Sequence, residues 1–141
     1  MSGHLDPVAR RRVSQARVAR LATVRPDGTP HVIPITFAFA GSSIVTVVDD
    51  KPKSTRALQR LRNIEANPVV SILVDHYDDD WSRLWWVRGD GTARLVGEER
   101  DGDHRDAVAA LVGKYSPYRD RRPRGPVIIV TVDRWRSWSA T

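Results

Sequence analysis

The chain has 141 residues, enough for one domain with a single core. Apolar residues make up 40% and charged residues 28%, an ordinary globular balance, and cysteine is absent. The missing cysteine rules out a disulfide framework, a thiolate nucleophile, a Cys-ligated zinc site and an iron–sulfur cluster. The net charge of +6 and a pI near 10.5 suit anionic partners and say little about fold. The opening MSGHLDPVARRR carries no apolar segment before a cleavage site. The longest uncharged stretch, Pro30–Val48, is interrupted by Pro34, Thr36, Gly41, Ser42 and Ser43. A soluble, cytoplasmic protein without membrane contact is the expectation.

Asp6-Pro7 has the form of a helix start, and the helix is expected to run to about Arg17, with Val8, Val13 and Ala16 as a thin apolar stripe among arginines. Val18–Val24 reads as a strand, followed by the turn Arg25–Pro30 with Asp27-Gly28 as its hairpin signal. Ile33, Ile35, Phe37 and Phe39 alternate, so His31–Phe39 reads as one returning strand. Pro34 within it demands an edge or a bulge. After Gly41-Ser42-Ser43, the fully apolar Ile44–Val48 completes an expected meander.

A helix is expected from Lys53 or Ser54, with Ala57, Leu58, Leu61 and Ile64 on one face and Asn67-Pro68 as its stop. Val69–Val74 is a strand, and Asp75–Asp80 an acidic loop. Leu84–Val96 is one long strand or a hairpin, with Gly89-Asp90-Gly91 as its kink or turn. Glu98–Lys114 reads as a helix and Tyr115–Pro126 as a loop rich in Pro, Arg and Tyr. Val127–Val132 is the last strand, followed by Trp135 and Trp138. Six or seven antiparallel strands with two or three helices describe a small barrel with helices at its rim, a single domain over residues 1–141.

Chemistry concentrates at three places. Lys51, Lys53, Ser54, Thr55 and Arg56 gather cations and hydroxyls at a helix start, where acidic residues are usually favoured. With free backbone N–H groups they form a phosphate cradle; the alternative is a solvated basic face. His76, Asp78 and Asp80 offer carboxylates and an imidazole, yet no histidine pair has a zinc spacing and no Gly-x-Ser-x-Gly elbow exists. Trp85 and Trp86 are neighbours in a strand and must face opposite ways: one into the barrel, the other onto a partner subunit or flat ligand. The basic loop residues Arg119, Arg121, Arg122 and Arg124 suit a polyanion or plain solvent.

The run Ala19–Val24, the Pro26–His31 turn, Lys51–Arg56, Asn67-Pro68, Val70–Asp75, Asp80-Trp81 and Gly91-Thr92-Ala93 stand in an order that resembles the pyridoxamine-phosphate-oxidase-like split β-barrels. Trp81–Arg88 and the ending Trp135–Ala140 are similar to the actinobacterial branch of deazaflavin (coenzyme F-420)-dependent oxidoreductases. The likeness spans about residues 6–135 and implies an FMN-binding-like split barrel that dimerises, with cofactor in grooves between the two copies. It implies that Lys51, Lys53, Ser54, Thr55 and Arg56 meet the phosphate end. On the same basis His31, Ile33, Ile35, Val47 and Val48 line the ring, and Trp81 and Trp85 reach the partner's groove. The reaction implied is hydride transfer to or from a small unsaturated substrate, with a water or His31 as proton source and no metal. FMN in the same fold, a non-catalytic cofactor carrier and a nucleic-acid binder are the alternatives.

Overall fold

Gly28 adopts φ +89°, open to glycine at no steric cost, and Asp27 Oδ1 accepts from the Thr29 N–H (2.9 Å) and hydroxyl (2.6 Å). This turn joins β1 (Ala19–Val24) to β2 (Pro30–Ile35), with Thr23 opposite His31. The computed structural model describes residues 4–48, 55–97 and 102–141. After α1 (Pro7–Gln15), β1 and β2 come β3 (Ala38–Ala40), β4 (Ser43–Val47), α2 (Thr55–Ala66) and β5 (Val69–His76). A 3-10 turn (Trp81–Arg83), β6 (Trp85–Val96), α3 (Gly102–Lys114), α4 (Ser116–Asp120) and β7 (Val127–Ser139) complete the chain. Lys51, Lys53 and Ser54, and the expected beginning of the second long helix at Glu98, lie outside the described residues.

All strand pairs are antiparallel, in the order β2-β1-β5-β6-β7-β4-β3. The two edge strands, β2 and β3, are consecutive in the chain and joined only by Thr36 and Phe37. A sheet whose opposite edges are tied by two residues must curl until those edges meet. The result is a barrel split at that joint, as the family resemblance implies.

Several expectations need correction. His31–Phe39 is two strands on opposite edges, because Phe37 gives its backbone groups to a distant side chain: its N–H donates to the Tyr115 hydroxyl at 3.1 Å. The meander is therefore interrupted, and β4 pairs with β3 and β7. Pro34 stands on edge strand β2, where its missing N–H costs no ladder bond to a further strand. The first helix ends at Gln15, the Tyr115–Pro126 loop contains α4, and the last strand continues through Trp135 and Trp138 to Ser139. Four α-helices stand among the described residues, against the two or three expected.

Leu84–Val96 resolves as a single strand from Trp85, and the register with β7 shifts between Asp90 and Gly91. Here the two backbones close in: a Cβ on Gly91 would lie 2.0 Å from the Thr131 carbonyl oxygen. Only glycine permits that approach.

Two apolar cores flank one sheet. Leu21, Ile35, Ile44, Ile72, Val74, Val87, Ile128 and Val130 fill the barrel, with Ala9 and Val13 of α1 and Ile64 of α2 closing it. Val45, Val47, Val127 and Ile129 point the other way, under Ala107, Val108 and Leu111 of α3. Strand β4 and the start of β7 are thus covered on both faces, which is why Ile44–Val47 and Val127–Val130 are buried without alternation. Among the described residues nothing covers the outer face of β2, β1, β5 and β6 in this way. Val32 (61%), Val69 (55%), Leu73 (36%) and Trp138 (47%) remain exposed on it and on β7. Among the described residues no helix is long and apolar enough to cross a membrane.

Candidate functional site

Alternation along β2 turns His31, Ile33 and Ile35 to the barrel side and Pro30, Val32 and Pro34 outward. Opposite His31 lies the buried Thr23, whose Oγ1 accepts from Asn63 Nδ2 at 2.9 Å; Asn63 Oδ1 in turn accepts from Gln59 Nε2 at 2.7 Å. Asn63 is fully buried on α2, so this chain of amides and a hydroxyl locks the helix onto β1. Sequence reasoning missed it. The available signal was a polar Asn63 beside Ile64 on the helix face that must be buried.

His31 is half-buried, and its Nδ1 is sequestered with no hydrogen-bond partner among the described residues. Burial, then the positive charges of Arg25 and Arg60, hold the imidazole below its usual pKa and hence neutral at physiological pH. Arg25 is fixed in place: its Nη1 donates to the Pro30 carbonyl (2.6 Å) and to the Thr29 hydroxyl (3.3 Å). A neutral histidine is a poor proton donor but a good hydrogen-bonding partner.

The other expected residues are dispersed. Ile35 and Val48 are buried in the barrel core, and Val47 lies under α3. Thr55 and Arg56 open α2, the helix that carries Asn63. Trp81 is 69% exposed on the 3-10 turn, which Asp80 caps by accepting from the Ser82 N–H. Trp85 sits at the inner rim and Trp86 on the outer face, with Trp86 opposite Trp138 and the Arg88 guanidinium 5.9 Å from its ring. Pairing of Ala22 with Ser71 puts His31 level with Val70, while Trp85 pairs with His76 at the far end of β5. At about 3.3 Å per residue that separation is roughly 20 Å. His31 and the Trp85–Trp86 pair stand at opposite ends of the sheet.

Clefts of about 450 to 680 Å³ open on the surface formed by the described residues. One of about 450 Å³ runs along Leu73, Tyr77, Trp85, Trp86 and Trp138. A neighbour of about 490 Å³ shares Asp75, His76 and Trp85 with it and adds Arg12, Arg17 and Arg20. His76 and Trp85 stack between the two, with centroids 6.1 Å apart and planes at 19°. The largest, about 680 Å³, lies between α3 and the loop after α4 and is lined by His104, Arg105, Asp120, Arg121, Arg122 and Arg124. His31, Ile33 and Ile35 line none of these.

Solved structures repeat this fold. The conserved hypothetical protein Rv2991 from Mycobacterium tuberculosis superposes with a TM-score of 0.77 at 22% identity, over 97% of this chain and 86% of that one. The heme storage protein HutZ from Vibrio cholerae gives 0.73 at 18% identity, covering 97% and 95%. An FAD-binding protein from Mesorhizobium loti gives 0.70 at 18%, covering 94% of each chain. Identities this low speak for the fold alone. No curated protein sequence matches the chain. The family model for pyridoxamine 5'-phosphate oxidase matches residues 5–139, nearly the whole length. By fold and by sequence the chain belongs to the pyridoxamine 5'-phosphate oxidase family.

Proposed function

We propose that the chain is a cofactor-dependent oxidoreductase. It holds a deazaflavin of the coenzyme F-420 type between two copies of the barrel and passes a hydride between it and a small unsaturated substrate. The observation that carries this reading is His31 on the barrel side of β2, its buried Nδ1 without a hydrogen-bond partner among the described residues. A buried ring nitrogen left unpaired costs stability, on the order of 1–3 kcal/mol. A pyrimidine-type ring edge bears both N–H and C=O groups, so it answers either tautomer of the imidazole. His31 fits such an edge.

His31 would orient the ring, and a water would supply any proton, since the depressed pKa disfavours an imidazolium donor. Lys51, Lys53, Ser54, Thr55 and Arg56, at and before the start of α2, would hold the phosphate. The net charge of +6 favours the longer polyanionic tail of F-420 over FMN. When bound, the deazaflavin supplies or accepts the hydride, and the protein contributes orientation and exclusion of water.

The uncovered outer face with Val32, Val69, Leu73 and Trp138 supports pairing with a second copy. Pairing would bring the Trp81–Trp85 end of one chain to the His31 end of the other, which one chain by itself keeps apart. Likeness to an FAD-binding protein and to a heme storage protein supports a planar cofactor in this barrel.

The test is a parallel titration of purified protein with F-420, FMN and heme, followed by exposure of the reduced F-420 complex to enones and quinones. Saturable binding of F-420 in preference to the others, with oxidation by an acceptor, supports the proposal. Preference for FMN replaces the cofactor, and tight binding without turnover makes the protein a carrier.

A further inference from the structure

The arginines of α1, of β1 and of the link between them are given no contact in that reading, yet three of them converge on one groove at the other end of β1 from His31. Arg12, Arg17 and Arg20 line the cleft of about 490 Å³ whose wall is Asp75, His76 and Trp85. Arg12 donates to the Ser139 hydroxyl at 3.2 Å and lies 5.6 Å from the Trp85 ring centroid. Arg17 donates to the Lys114 carbonyl at 3.2 Å and lies 4.6 Å from the Tyr115 ring. Both are therefore held by neutral groups that fix their position without cancelling their charge. Arg20 is exposed and forms no ion pair among the described residues; nor do Arg12 and Arg17. The wall has one carboxylate, Asp75, against three guanidinium groups.

We propose that this groove binds a planar organic dianion, its carboxylates on Arg12, Arg17 and Arg20 and its ring against the Trp85–His76 stack. Guanidinium forks match carboxylate geometry, and an indole face held by a stacked imidazole gives a flat apolar surface beside them. The volume falls in the range of small-ligand clefts, about 300–1,000 Å³. A merely solvated basic face would need no aromatic wall and no bonds holding its arginines. The site shares Trp85 with the F-420 reading, in which that residue reaches the partner's groove, and includes none of the residues assigned there to phosphate or ring contact.

Naphthalene-2,6-dicarboxylate is the probe, compared with trans-cyclohexane-1,4-dicarboxylate (charge without an aromatic ring) and 2-naphthalenemethanol (ring without charge). Binding to the full chain is followed by NMR at the indole and arginine side-chain N–H signals, without F-420 present. The dianion is expected to bind about tenfold more tightly than either comparator and to move the Trp85 and Arg12 signals. Arg20→Gln alone and Arg12→Gln with Arg20→Gln should weaken it stepwise, the pair by about tenfold, while spectra report an intact fold. Arg121→Gln with Arg122→Gln, in the separate basic cleft, should leave it unchanged. Equal binding of the ringless dianion, shifts located elsewhere, or indifference to the Arg12/Arg20 pair would overturn the proposal.

Discussion

Tyr115 holds Phe37 across 78 residues of sequence: its hydroxyl accepts from the Phe37 N–H at 3.1 Å and lies within donating distance of the Arg17 carbonyl, at 2.8 Å. Phe37 sits in the joint between the two edge strands, where no ladder serves its backbone, and its side chain is fully buried. One hydroxyl thus satisfies the backbone at the point where the barrel is split.

Tyr115→Phe should therefore lower stability by about 1–3 kcal/mol, the cost of an unsatisfied buried donor, with little change in the spectrum of the native state. Urea denaturation measures it. A loss of a few tenths of a kcal/mol would mean that water serves Phe37 instead.

Glycines separate into those the fold needs and those it tolerates. Gly91→Ala drives a methyl into the Thr131 backbone and should prevent accumulation of folded protein. Gly113→Ala, in α3 with nothing within 4 Å of the added carbon, should stabilise by about 0.5–1 kcal/mol. Thermal melts of the two variants side by side decide both.

Lys114 gives the protein a pH-dependent stability. Its Nζ has no hydrogen-bond partner among the described residues, lies 3.8 Å above the Phe37 ring, and is lowered to a pKa of about 8 by burial and by Arg17. The unfolded chain keeps this proton up to about pH 10.4, so between pH 8 and 10 it binds more protons than the folded one. Stability should rise across that window, by about 1 kcal/mol after allowance for the solvated half of the side chain. Lys114→Met should flatten the rise. An unchanged slope would show that another group produces it.

The apolar outer face predicts association. Native protein should sediment at twice the 15.9 kDa chain mass, and Val32→Glu with Leu73→Glu should give a folded monomer, because both side chains are exposed in the single chain. A native monomer at micromolar concentration would remove the second copy from the account.

Much of this architecture is legible in the sequence because its causes are local. Asp27-Gly28 sets a hairpin, Asp6-Pro7 starts a helix, and Trp85-Trp86 must diverge on a strand. The errors fall where distant residues decide. The break at Phe37 is made by Tyr115, and the extension of β7 through Trp138 runs past the register shift at Asp133, where charged residues mask the strand pattern. The cofactor residues proposed from resemblance include Ile35, Val47 and Val48, apolar side chains whose type suits core packing as readily as a ring pocket. The groove of Arg12, Arg17 and Arg20 is invisible in the linear order, because its opposite wall comes from β5 and β6.

The most direct measurement of the central claim is the affinity and stoichiometry of F-420 for three proteins: native, the Val32→Glu/Leu73→Glu monomer, and His31→Ala. The account predicts one F-420 per chain in the native protein, with losses of about tenfold or more in each variant. Unaltered binding by the monomer and by His31→Ala, or no saturable binding at all, would contradict it.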